Sequence, residues 1–133
     1  MGKLPWEITE YELLLLTELW QRPSATVPEL TEAVYGNTTP ALLATVRKLL
    51  DRLEEKGCVS RDRSWWPHHY VAAVKREELA SNRLQATADE LYEGDLAPLL
   101  THLVRSNKLT AEDREKLRQA LDELDGKGPK KGK

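Results

Sequence analysis

The sequence predicts a mainly α-helical chain with one small β-hairpin, in the order helix, helix, helix, hairpin and then more helices. Three observations carry that expectation. Helix start and stop signals recur along the chain, a short stretch of strand formers follows the third helix, and net charge changes sign between segments. The first half then has the arrangement of a winged helix-turn-helix, and the second that of a helical dimerisation domain. The expected division is 1–75 for the first, 76–124 for the second, and 125–133 for a basic, disordered tail.

The first helix opens at Ile8-Thr9-Glu10-Tyr11-Glu12-Leu13, where Thr9 is placed to cap the backbone, Glu12 to reach back, and Ile8 and Leu13 to staple the entry. It should run from about Glu10 to Trp20 and break at Arg22-Pro23-Ser24. A second capping box, Thr26-Val27-Pro28-Glu29, opens a short helix that reaches about Tyr35 and ends at Gly36-Asn37. Thr39 followed by Pro40 starts the third, because threonine accepts from an orphan N–H and proline is tolerated at the first helical position. Gly57 stops it after Lys56. Leu42, Leu43, Val46, Leu49, Leu50 and Leu53 recur at helical spacing on one face, leaving Thr45, Arg47, Lys48, Asp51, Arg52 and Glu55 outside.

After Gly57, Cys58 to Arg61 reads as a strand, and His69 to Ala72 as its antiparallel return, with Ser64-Trp65-Trp66-Pro67 as the turn. Pro67 cannot donate to a ladder, so the returning strand is expected at an edge. Adjacent strand residues face opposite ways, so Trp65 and Trp66 cannot both enter one core. One is expected to pack; the other lies on solvent, a neighbouring subunit or a DNA backbone. Three further helices follow: about Glu77 to Tyr92, about Leu96 to Ser106 after a break at Gly94, and one opened by Thr110 with Asp113 in the capping-box position.

A chain of 133 residues with 40% apolar residues can bury a core without staples. One cysteine, Cys58, permits no internal disulfide, which fits a reducing cytoplasm. No window approaches about 20 consecutive apolar residues, and the first residues lack the order of a signal peptide, so a cytoplasmic protein without membrane insertion is expected. The net charge of −2 hides a pattern: residues 37–76 hold eight basic and four acidic residues, a net of +4. Both flanking segments, 1–36 and 77–124, are acidic. Positive charge therefore gathers where the third helix and hairpin lie, as a nucleic-acid surface requires.

The third helix offers Arg47 for a bidentate contact to guanine and Thr45 for a thymine methyl. Lys48, Arg52, Arg61 and Arg63 suit phosphates, which position a protein without reading sequence. Each is equally an ordinary solvated charge, and Arg52 has Lys48, Asp51 and Glu55 as helical neighbours. In the second half, Leu79, Leu91, Tyr92, Leu96, Leu99, Leu100, Leu103, Leu117 and Leu121 exceed what a thin helical layer can bury alone, so a homodimer is expected. His68, His69, His102 and Cys58 have no metal-ligand spacing, and neither a nucleophile motif nor a phosphate loop occurs. No catalytic residue, metal or cofactor is expected. The other class open to this fold is a protein–protein adaptor, which a third-helix face neutralised by Asp51, Glu54, Glu55 and Asp62 would favour.

Taken in order, ITEYELLLLTELW, ATVRKLLDRLEEKG and ADELYEGDLAPLLTHLVRSNKLTAEDREKLRQALDEL resemble the BlaI/MecI/CopY family of penicillinase-type transcriptional repressors, over about residues 8–124. The resemblance implies a homodimeric repressor that occupies a palindromic promoter operator of double-stranded DNA. It also shows departures. Ala44 stands where similar repressors carry lysine, Arg47 and Lys48 where they carry glutamine and threonine, and Trp65-Trp66 where the wing has glycine and arginine. In the lactam-responsive members a membrane sensor triggers cleavage at an Asn-Phe bond, and the matching pair here is His102-Leu103. A membrane sensor or protease acting as inducer therefore stays open, while the cysteine cluster of the copper-responsive branch is missing from this tail.

Overall fold

The computed structural model describes residues 7–126; the expectation of a disordered tail falls on residues outside them, apart from Asp125 and Gly126. Among the described residues there are six helices and a two-stranded antiparallel sheet, in the order α1 (Glu10–Trp20), α2 (Val27–Tyr35), α3 (Pro40–Glu55), β1 (Val59–Asp62), β2 (His69–Ala72), α4 (Arg76–Leu91), α5 (Leu96–Arg105) and α6 (Ala111–Leu124). The chain divides into two compact units between Arg83 and Leu84, inside α4.

Local chemistry explains the bounds. Thr9, Thr26 and Thr110 each cap a helix in a reciprocal box with Glu12, Glu29 and Asp113, so two orphan backbone donors are satisfied at each start. Thr39 accepts from Leu42 N–H at the start of α3. At its end Gly57 takes the left-handed conformation, φ +78°, and the Cys58 N–H donates to the carbonyl of Leu53 at 2.9 Å. That bond belongs to a Schellman cap, and it moves the first strand by one residue. The strand begins at Val59, not Cys58, because the Cys58 N–H is already used by the helix.

The core of the N-terminal unit is built from Leu15, Leu16 and Leu19 of α1, Leu30 of α2, Val46, Leu50 and Leu53 of α3, and Val59 and Tyr70 of the hairpin. Register pairs Arg61 with Tyr70 and Val59 with Ala72. The returning strand is not a bare edge at its centre: Tyr70 exchanges two backbone hydrogen bonds with Ala25, at 2.8 and 3.0 Å. Pro67 does not prevent this, because it precedes the strand and the ladder never asks for its N–H. The Trp20 indole N–H donates to the Val74 carbonyl at 2.8 Å, tying the end of α1 to the segment after β2.

Leu79 also belongs to this core, at 5% exposure. This residue, expected from the sequence on the dimer face, is placed in the N-terminal core, beside which the Arg76 guanidinium of α4 lies 5.1 Å from the Trp20 ring centroid and Arg83 donates to the Ile8 carbonyl at 3.0 Å. Polar burial is equally specific. Glu12 and Lys56, 44 residues apart, form an ion pair of 2.7 Å with side chains 0% and 4% exposed. The ammonium also donates to the Glu7 carbonyl at 2.8 Å.

Burial on its own would raise the Glu12 carboxyl, but the Lys56 ammonium and the Thr9 N–H outweigh it and hold the group below its usual 4.5. Glu29 is also lowered, chiefly by the Thr26 N–H that it accepts. A depressed carboxyl stabilises the folded state above its unfolded pKa and loses that contribution as pH falls through the folded one. Thermal midpoints should therefore hold as pH falls from 7 to 5 and drop below 4.5. Glu12→Gln should start lower and show a shallower acid limb; an unchanged limb would remove Glu12 from the acid response.

In the C-terminal unit, α5 and α6 contain no buried residue. Asp95 caps α5, and Glu93 and Gly94 turn the chain with φ of +54° and +87°. Ala88 is buried, its carbonyl taking the N–H groups of Tyr92 and Gly94. Leu91 is 67% and Leu121 61% exposed, Leu100, Leu103 and Leu117 are exposed, and Tyr92, Leu96 and Leu99 are half-buried.

Candidate nucleic-acid interface

The third helix buries Val46, Leu50 and Leu53 and turns Thr45, Arg47, Lys48 and Arg52 to solvent. Helical spacing sorts the outer residues into two stripes. Thr45, Lys48 and Arg52 lie together around a shallow groove that Ala44 and Leu49 complete. Arg47, Asp51 and Glu54 lie on the stripe that meets the hairpin.

That second stripe binds the wing. Arg61 lies 3.3 Å from Glu54 and 3.6 Å from Asp51, and Arg63 lies 3.3 Å from the other Glu54 oxygen. The Arg61 guanidinium also sits 5.5 Å from the Tyr70 ring centroid, with its Nε buried and lacking a hydrogen-bond partner among the described residues. Arg61 on β1 and Arg63 just beyond its end reach the same carboxylate, that of Glu54. Of the carboxylates that would neutralise the basic face, Asp51 and Glu54 are thus paired with the wing, while Glu55 is exposed and Asp62 lies on the hairpin. Among the described residues Arg47, Lys48 and Arg52 have no carboxylate within ion-pair distance, so the outward face stays cationic.

Between helix and wing runs a groove of about 310 Å³ whose walls include Arg47, Arg61, Tyr70 and Trp66. Asp62 closes the start of the loop by accepting from the Ser64 N–H at 2.9 Å, which lowers its carboxyl below the usual range. The expectation that one tryptophan packs is overturned, since Trp65 is 76% and Trp66 83% exposed. Both rings sit in the loop beyond the strands, and the core position that the hairpin offers is taken by Tyr70.

Sequence reasoning missed the locking role of Asp51 and Glu54. The signal was there: two carboxylates three apart on a helix, followed by arginines two apart at the end of the next strand and just past it. Which stripe meets the wing depends on how the hairpin folds back, and helical spacing alone does not encode that.

Three helices, a bridged hairpin and a cationic outer face on the third helix define a winged helix-turn-helix of the DNA-binding class. The penicillinase repressor family model matches residues 8–123, and the chain belongs to that family. It is therefore a DNA-binding transcriptional repressor by family, and the family is one of regulators rather than enzymes. No curated protein matches the chain. No helix among the described residues is long and apolar enough to cross a membrane.

Proposed function

We propose that the protein acts as a homodimer on a palindromic promoter operator, with α3 in the major groove of each half-site and the hairpin beside it. The observation that carries this is the solvent side of α3, where Thr45, Arg47, Lys48 and Arg52 are exposed over both stripes and the three cations are unpaired among the described residues. Arg47 is assigned to a base edge and Thr45 to a thymine methyl; Lys48 and Arg52 are assigned to phosphates. Arg61 holds the wing against α3, and Arg63, with its side chain 54% exposed, is the better placed of the two for phosphate.

The division of labour is 1–75 for DNA and 76–124 for pairing, with Leu79 serving the first unit. Exposed leucines on α5 and α6 supply the apolar surface for a second copy. The setting is the cytoplasm, and the inducing partner is a membrane sensor or a protease. The His102-Leu103 pair, exposed on α5, is accessible to such an enzyme in the isolated protomer.

The test is a salt titration of binding to a duplex selected from a random library. Wild-type affinity should fall steeply with salt, and Arg47→Ala should cost about 1–3 kcal/mol and relax the base preference. Lys48→Ala should instead weaken all sequences alike and reduce the salt slope by about one. Wild-type binding by Arg47→Ala on both selected and random duplexes would remove α3 from the major groove.

A further inference from the structure

The loop between the strands leaves two adjacent indoles, Trp65 and Trp66, more exposed than any core-facing residue of the hairpin. Among the described residues of the N-terminal unit nothing covers this apolar area. Trp66 meets His68 edge-on, with centroids 4.8 Å apart and an interplanar angle of 75°. Trp66 and Pro67 also line the groove that Arg47 lines. Arg63, two residues before the pair in sequence, is ion-paired with Glu54 at 3.3 Å, and Asp62 accepts from the Ser64 N–H.

The tip shares a groove with Arg47, one of three α3 cations with no carboxylate within ion-pair distance among the described residues, and so fits a partner that is polyanionic outside and apolar within. Duplex DNA has that profile: phosphates line the minor groove, and its walls and floor are sugars and stacked bases. A protein partner of purely apolar character would leave the cations Arg47, Lys48 and Arg52 of the adjoining α3 face unmatched. The pins from Arg61 to Asp51 and Glu54 fix the hairpin on α3, so tip and helix meet one ligand as a single body.

We infer that Trp65 and Trp66 form an apolar wedge that enters the minor groove beside the half-site contacted by α3, unstacks a base step and bends the operator. The inference rests on the DNA reading proposed above and extends it to a second determinant of specificity. Pyrimidine–purine steps unstack most readily, so such a step is expected at a fixed offset from each half-site. This preference would arise without a hydrogen bond to any base there.

The experiment uses the full chain and a library-selected duplex of about 40 base pairs, long enough to flank a bent site, with a donor dye at one end and an acceptor at the other. Binding of wild type should draw the ends together. The double variant Trp65→Ala/Trp66→Ala should bind at least about tenfold more weakly and leave the ends at the free-duplex distance. Trp65→Phe/Trp66→Phe, which keeps an apolar ring, should retain the bend. Both positions are solvent-exposed, so equal thermal midpoints serve as the check on folding. Wild-type affinity and bend in the alanine double variant would overturn the wedge and assign the tip to another partner. Weaker binding with an unchanged bend would also overturn it. If wild type binds no duplex, the DNA reading falls as well, an outcome separate from failure of the wedge alone.

Discussion

Lys56→Met should destabilise the protein by about 3–5 kcal/mol, because it leaves the Glu12 carboxylate buried without its counter-ion. Glu12 is 0% exposed, its Oε1 accepts from both Thr9 and Lys56, and its Oε2 is buried without a hydrogen-bond partner among the described residues. Methionine fills the volume of the lysine stem but supplies no charge. Native stabilities are commonly about 5–15 kcal/mol, so the variant would lose a large share of the total. The urea midpoint should fall with little change in slope. Adding Glu12→Gln should restore much of the loss, since the amide removes the charge and its oxygen can still accept from the Thr9 N–H. A Lys56→Met protein within 1 kcal/mol of wild type, a margin of about the size of a surface substitution, would show that the pair is already neutral or solvated.

Leu103→Asp should give a monomer whose affinity for a two-half-site duplex is lower by about 10²–10⁴-fold. The size of the effect comes from geometry. In a dimer the second half-site is met at the effective concentration set by the first contact, and a monomer forfeits that without losing any DNA-contacting side chain. Leu103 is exposed on α5, and α5 and α6 bury no residue, so aspartate there should disturb the pairing face and not a protomer core. Sedimentation would report the mass and a binding titration the affinity. A variant that stays dimeric would take α5 out of the interface.

Most element bounds were legible because they are written locally. Capping boxes spaced three residues apart set the starts of α1, α2 and α6, and Gly57 set the end of α3 within one residue. What stayed illegible involves partners distant in sequence. The Glu12–Lys56 pair spans 44 residues, and in isolation each looks like an ordinary helix-end charge. Ala25 gives no strand signal, since one residue has no periodicity, yet it bridges Tyr70. Leu79 fits the apolar count of the acidic helices as well as it fits the N-terminal core, and only the fold-back of α4 decides. The basic face of α3 was legible as a set of residues. Its freedom from neutralisation was not, because that depends on Asp51 and Glu54 turning toward the wing.

The central claim is that α3 reads operator DNA as one half of a symmetric pair. Selection of bound sequences from a random duplex library tests it most directly. The predicted result is enrichment of two inverted half-sites, separated by a spacing set by the helical repeat, with the guanine preference lost for Arg47→Ala. Failure to enrich any sequence, or enrichment unaffected by Arg47→Ala, would contradict it.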